Sequence, residues 1–297
     1  VGRVGAISKD ELPLLKPESV VCAFHHLAVM QKEQVERLMR LEATLIGYEV
    51  IQDEKGDLPV LLPTSEMAGQ MAVHIAAHYL QKEAGGRGIL MGTVAGVPPP
   101  TVVVLGAGTV GRAATRLALA SGAHAIVLDD NVVKLQALHR EFGGRAVTVL
   151  AEVERLQQYT AIADALIGAI LIPGARAPFL VTEAMVKAMK PGSVIIDVSI
   201  DQGGCVETSR PTTLDDPTFT VHGVVHYCVG NMTANIPRTA SRALASASVF
   251  TIEEIAGKGL DAALREDPGL AAGVYLWRGA MVNERVGAAL GLPAKPL

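Results

Sequence analysis

Cysteine is scarce in this chain, with only Cys22, Cys205 and Cys228 in 297 residues. They fall in no metal-ligand spacing and leave one thiol over in any disulfide scheme. That excludes a disulfide scaffold and a zinc module, and points to a reducing, cytoplasmic compartment. A dominant charge is also missing. Lys and Arg total 26 against 30 Asp and Glu, a formal net charge of -4, so nothing electrostatic invites nucleic acid or an anionic membrane as partner. No apolar run reaches the length of a membrane span, because Gly, Pro or a charge interrupts each one. No signal peptide is visible. The chain opens on Val1 rather than Met, which leaves a processed or shortened start open.

What is present suits a two-domain α/β enzyme: 49% hydrophobic residues, 19% charged residues and 30 glycines. The run SVVCAF, 19–24, reads as a buried strand that ends at His25 and His26. Apolar residues at helical spacing follow over 29–41, then a strand candidate over 43–50 and a turn over 53–57. Ser65 reads as the N-cap of a long helix to about Lys82, with Met67, Met71, Ile75 and Tyr79 as its apolar stripe. From Thr101 onward the pattern alternates. TVVVL, HAIVLD, AVTVL, ADALIGAILI and SVIIDVSI are strands apolar on both faces, and helices at 109–121, 131–142 and 181–189 lie between them. Strands buried on both sides and separated by helices predict a doubly wound parallel sheet. Beyond Asn231 helices are expected over 237–247, 252–257 and 281–290, with no strong strand among them.

Gly106, Gly108 and Gly111 follow the first of those strands and open a helix, with Thr109 and Val110 between the last two. Gly106 permits the tight turn, Gly108 lets the backbone approach a pyrophosphate, and Gly111 allows helix to lie close on strand. The phosphates then meet the helix's unpaired N–H groups. The next strand ends in Asp129, at the spacing expected for a carboxylate that binds the adenosine ribose. Asp130 and Asn131 follow it, where a 2′-phosphate would call for Arg or Lys, so the cofactor expected is NAD rather than NADP. A glycine turn without nucleotide is the bland alternative, and the agreement of strand, glycines, helix and acid weighs against it.

Several longer motifs stand in fixed order: HHLA at 25–28, LLPTSEMAG at 61–69, GGRGILMG at 85–92, SVIIDVSIDQGGCVETSRPTT at 193–213 and VVHYCVGNMTANIPRT at 224–239. In these the chain resembles alanine dehydrogenase and, more distantly, the transhydrogenase α-subunit domain. The resemblance implies a cytoplasmic NAD-dependent enzyme that interconverts a small L-amino acid, alanine foremost, with its 2-oxo acid and ammonia. It implies a homo-oligomer, a hexamer by that likeness, with a dimer as the other assembly. It also implies an NAD-binding Rossmann domain over 59–235 and a discontinuous substrate domain made from 1–58 and 236–297. His26 and Asp201 match the family's catalytic positions. Ser65, Asp129, Asn231 and Met232 match positions that line the cofactor, and Lys134 falls near the adenosine ribose. A histidine supplies a proton near neutral pH, and a carboxylate at the carboxyl end of a parallel strand stands where open α/β sheets bind ligands.

Other reactive residues read as structural. His74 and His78 stand four apart on a helix without a third ligand, so no metal site is expected. His222 and His226 fit a structural role, and neither Cys205 nor Cys228 has an evident activating base. One departure from the family matters. The family carries a lysine in a Val-Lys-Glu-Pro-like stretch ahead of the histidine, and without gaps Gly5 stands in its place, with Arg3 and Lys9 as nearby cations. This leaves two further readings, an enzyme that acts on another imine or amino acid in a biosynthetic pathway, and an NAD-binding regulatory protein without turnover.

Overall fold

The computed structural model describes Val1–Leu297. Its strands, in chain order, are β1 (Gly2–Gly5), β2 (Val20–Phe24), β3 (Thr44–Gly47), β4 (Thr101–Leu105), β5 (His124–Asp129), β6 (Val147–Leu150), β7 (Ala165–Gly168), β8 (Val194–Asp197), β9 (Thr218–Val221), β10 (Val224–Tyr227), β11 (Val274–Trp277) and β12 (Ala280–Met281). The chain forms two compact units. One comprises Val1–Thr64, Ile172–Arg176 and Arg238–Leu297; the other comprises Ser65–Leu171 and Ala177–Pro237.

The first unit holds a sheet in the order β1-β2-β3-β11-β12. β1, β2 and β3 run parallel, while β11 returns antiparallel to β3 and β12 antiparallel to β11. Strand alternation sorts its side chains between two cores. Val21, Ala23 and Leu45 face one side, with Val35 and Leu38 of the helix Lys32–Arg40. Cys22 and Ile46 face the other, with Leu244 and Leu264. Each fully buried Leu or Ile there contributes about 1.5–3 kcal/mol.

The second unit holds seven strands in the order β6-β5-β4-β7-β8-β10-β9. All pairings are parallel except that of β9 with β10. The order reverses direction between β4 and β7, the topological switch of a doubly wound Rossmann sheet. Val102, Val104, Val127, Ile167 and Ile196 face one core with the helices Leu62–Tyr79 and Thr109–Ala120. Val103, Leu105, Ile126, Leu166 and Ile195 face the opposite one with Leu156, Met185 and Val186. The α/β class and the parallel sheet expected from the apolar runs are therefore present.

Several expected elements differ. Ser65 is not an N-cap: its helix starts at Leu62, with Pro63 in the first turn, where a missing N–H costs nothing. The two helices expected over 237–247 and 252–257 are one helix, Pro237–Lys258. Val249, Phe250 and Thr251 blur the periodicity between them, but each costs under about 0.7 kcal/mol in a helix, and no Gly or Pro lies between 238 and 256. The C-terminal segment also contains a strand pair, β11 and β12, where helices alone were expected. The strand expected over 43–50 stops at Gly47, and a turn follows it.

Candidate active site

The loop after β4 is held open from inside. Gly106 has φ 106°, and a Cβ there would lie 2.5 Å from the Ala169 carbonyl oxygen. A Cβ on Gly111 would strike the Gly106 carbonyl oxygen. Gly108 differs: its φ is -74°, and a Cβ there would have no neighbour within 4 Å. Neither backbone strain nor protein packing asks for glycine at 108. Its missing side chain leaves open space over the start of the helix Thr109–Ala120, whose first N–H groups have no side-chain cap. An anion with tight backbone approach, such as a pyrophosphate, fits that space.

Asp129 ends β5 with its carboxylate buried. Oδ2 accepts the Ala107 N–H at 2.7 Å and Oδ1 the Asn131 N–H at 2.8 Å. The acid thus fixes the glycine loop and the next turn, and each oxygen keeps a lone pair for a hydroxyl donor. Asn131 caps the helix Val132–Glu141 by accepting from the Val133 and Lys134 N–H groups, and the Lys134 side chain is exposed on it. With two hydrogen bonds to a charged group at stake, each worth about 1.5–3 kcal/mol, Asp129→Arg is expected to weaken NADH binding about 10²-fold or more, read by fluorescence titration.

The remaining candidates of this unit gather on the same edge of the sheet. Asp201 lies in the short 3-10 helix Val198–Gln202 that follows β8, and Asn231 lies after β10. Because β4, β5, β7, β8 and β10 run parallel, the loops after them share one end, where open α/β sheets bind ligands. The Asp201 carboxylate accepts the Asn231 N–H at 3.0 and 3.1 Å, and Asn231 adopts the left-handed region at φ 48° that its side chain tolerates. Met232 is buried in the core face that also contains Ala107. Ser65 is buried one turn before Gly69, where a Cβ would lie 2.8 Å from the Ala113 Cβ, so this helix lies close on the one that starts at Thr109.

Sequence reasoning missed Asp197, which holds the Asp201 loop. Its buried carboxylate accepts N–H groups of Ser199 at 3.1 Å, Cys205 at 3.0 Å and Val206 at 3.3 Å, while burial pushes its proton affinity up. An acid at the end of an apolar strand was the available signal, but its loop partners only become visible in three dimensions. Cys205 donates its thiol to the same carboxylate at 3.6 Å, and burial, then the Asp197 charge, raise that thiol well above its usual range. Burial pushes Cys228 up to about 12. Neither is a nucleophile as placed. His226 is buried, bonded to Thr208 at 2.8 Å and to the Val224 carbonyl at 2.9 Å. His74 and His78 are exposed, and no group of three His, Cys, Asp or Glu residues is placed to hold a metal.

In the other unit, the two histidines after β2 are unlike each other. His25 is buried, its Nε2 lies 3.2 Å from the Val21 carbonyl, and burial lowers its proton affinity, so it serves as a neutral packing residue. His26 is half-buried with φ 47° and ψ 44°, the left-handed region, which costs an L-residue about 1–2 kcal/mol. Its Nδ1 is buried without a hydrogen-bond partner. A strained backbone and an orphaned ring nitrogen are features that fold stability alone does not select. Gly5, at the end of β1, has nothing within 4 Å of where a Cβ would sit, and Arg3 on the same strand pairs with Glu11 at 2.9 Å. No helix is long and apolar enough to cross a membrane.

Fold and loop together define a Rossmann-type, NAD-binding α/β protein. Comparison with known proteins narrows the class. Residues 72–284 match the alanine dehydrogenase/PNT C-terminal domain, and residues 1–68 the corresponding N-terminal domain. Alanine dehydrogenase of Mycobacterium tuberculosis (strain H37Rv) is 46% identical over 279 residues, covering 94% of this chain and 75% of that protein. The enzyme of Mycolicibacterium smegmatis is 43% identical, covering 96% and 76%. A solved L-alanine dehydrogenase superposes with a TM-score of 0.86 at 39% identity, over 97% of this chain and 80% of the other. The chain belongs to the alanine dehydrogenase/PNT family.

Proposed function

We propose that this chain is an NAD-dependent amino-acid dehydrogenase that interconverts L-alanine with pyruvate and ammonia. The observation that carries the reading is Gly108: protein packing does not require its missing side chain, and the backbone-hugging pyrophosphate of NAD fits the space it leaves. Family membership supports the reaction.

NAD, when bound, supplies the hydride exchange of the reaction. The chain does the rest. The N–H groups at the start of the helix Thr109–Ala120 hold the pyrophosphate, and Asp129 holds the ribose. We assign Ser65, Asn231 and Met232 to the lining of the cofactor site and Lys134 to the adenosine end. Ammonia adds to the carbonyl carbon of pyruvate to give a carbinolamine. Loss of water gives an imine, and addition of a hydride and a proton gives alanine. His26 gives and takes the proton at the substrate's oxygen or nitrogen through its half-buried imidazole. Asp201 orients the attacking amine and offsets the positive charge that develops on it.

Residues 59–235 are taken as the NAD-binding domain, and 1–58 with 236–297 as the substrate domain. We place the protein in the cytoplasm, with its three thiols reduced, and as a homo-oligomer, a hexamer by resemblance. A second reading rests on Gly5, where open space stands in place of a cation: a related imine other than that of pyruvate as substrate.

The deciding experiment is NADH oxidation, followed by absorbance, with pyruvate and ammonium supplied together. Oxidation dependent on both is the expected result. Intact NADH binding without oxidation would overturn the alanine assignment and direct the search to other oxo acids, or to a regulatory role if none turns over.

A further inference from the structure

Glu49 is a buried carboxylate with no evident reason in the sequence. It follows the short strand β3 and is 2% exposed, so its desolvation needs compensation from hydrogen bonds. Three donors from two distant parts of the chain supply it. Oε1 accepts the His26 N–H at 2.6 Å, the His25 N–H at 3.1 Å and the Tyr275 hydroxyl at 3.1 Å; Oε2 lies 3.3 Å from the His25 nitrogen. In each of these bonds the Glu49 carboxylate is the acceptor, and Oε1 takes the three shortest. The bond to His26 is the shortest of the set and bears on a histidine with a left-handed backbone. Tyr275 can reach Glu49 because residue 47 is glycine: a Cβ there would lie 2.9 Å from the ring's Cδ2 and closer still to Cε2. Tyr275 is itself buried, 1% exposed.

We propose that Glu49 is the positioning residue for His26, its carboxylate clamping the His25 and His26 amides so that the His26 ring is held at the angle the proton transfer requires. The inference rests on the proposed dehydrogenase reading for what the ring does, but the clamp is a feature of this chain's own backbone. Tyr275 and Gly47 belong to the same device. The hydroxyl fixes the carboxylate's rotation, and the glycine admits the tyrosine ring. A carboxylate serves better than a neutral acceptor, because charge-assisted bonds are shorter and stronger, and the left-handed turn at His26 must be held against its own strain.

The test uses the full chain and two variants, Glu49→Leu and Glu49→Gln, alone and combined with His26→Ala. Leu fills the volume without an acceptor, and Gln keeps a single neutral one. Since misplacing a catalytic group by about an ångström costs on the order of 10²-fold, Glu49→Leu is expected to lower kcat by about that factor, with NADH affinity changed less than twofold. Glu49→Gln is expected to lose about three- to tenfold, because a neutral acceptor holds the strained turn less firmly. In the His26→Ala background either change is expected to alter the residual rate less than about twofold, since a group that acts only through His26 has nothing left to position. Equal losses in both backgrounds, or no loss in the wild-type background, would overturn the proposal. If Glu49→Leu does not fold, the Gln cycle decides by the same criteria. Amide hydrogen exchange at His26 reads the clamp without turnover: faster exchange by about tenfold in Glu49→Gln is expected, and unchanged exchange overturns the proposal. Should the wild-type chain oxidise no NADH with pyruvate and ammonium, the dehydrogenase reading fails while the exchange measurement still judges the clamp.

Discussion

His26→Ala is expected to lower kcat for NADH oxidation with pyruvate and ammonium by about 10²–10⁴-fold, the range over which a positioned acid–base group contributes. Affinity for NADH is expected to stay within about twofold, since the residues assigned to the dinucleotide belong to the other unit. Stability should change little. His26 already bears the left-handed strain, its ring stacks loosely on Phe24 with centroids 6.2 Å apart, and its amide bond to Glu49 survives the substitution. His26→Asn separates backbone from ring further, because Asn tolerates φ > 0 better than Ala and keeps a polar side chain without imidazole's proton chemistry. Full activity in both variants would remove His26 from the mechanism. Loss of folding in both would recast it as structural.

Two glycines of one motif are expected to fail in different ways. Gly108→Val adds a side chain where the protein has no atom within 4 Å of the new Cβ, on a backbone at φ -74°. The melting temperature should therefore drop by only a few degrees, reflecting at most about 1 kcal/mol for a poorer N-cap. NADH binding should weaken by about 10²-fold or more, since the valine occupies the space through which the backbone approaches the pyrophosphate. Gly111→Val places its Cβ against the Gly106 carbonyl, a backbone atom that cannot turn aside. Overpacking of that kind costs about 1–3 kcal/mol or more, so Gly111→Val should lose thermal stability along with binding. Thermal melts and NADH titrations on the two variants make the comparison. Tight NADH binding by a folded Gly108→Val protein would mean that the open space is not the pyrophosphate site, and the cofactor assignment would lose its main structural support.

The strands of the parallel sheet were legible because central strands are apolar on both faces. VVVL, AIVL and VIID announce themselves whatever surrounds them. The edge and return strands of the five-stranded sheet were not. β1 contains two glycines in four residues, and β11 carries VYLW within a stretch otherwise rich in helix formers. Their strand character comes from a neighbour that offers hydrogen bonds, β2 and β3 respectively, and a neighbour distant in sequence leaves no local trace. The candidate site divides along the same line. The glycine loop and Asp129 could be read because their spacing is local. Asp197 and Glu49 could not, since a buried carboxylate is identified by the donors that surround it, and those come from the amides of residues 199–206 in one case and from the amides of 25 and 26 and the hydroxyl of 275 in the other. The helix Pro237–Lys258 was misread for a different reason: with only Leu244 and Ser248 buried, it has no apolar stripe to mark its length.

The pairing of β11 with β3 has a consequence for how the protein comes into being. The Tyr275 hydroxyl and the Glu49 carboxylate it bonds are 226 positions apart in the chain. A ribosome releases the N-terminal segment first, and the second unit's sheet, complete by Tyr227, can close while the C-terminal segment is still being made. His26 therefore emerges early yet waits for almost the last stretch of polypeptide before its supporting carboxylate is locked. A nascent or prematurely terminated chain would hold a finished nucleotide fold with an unset histidine, so binding competence precedes reactivity during synthesis.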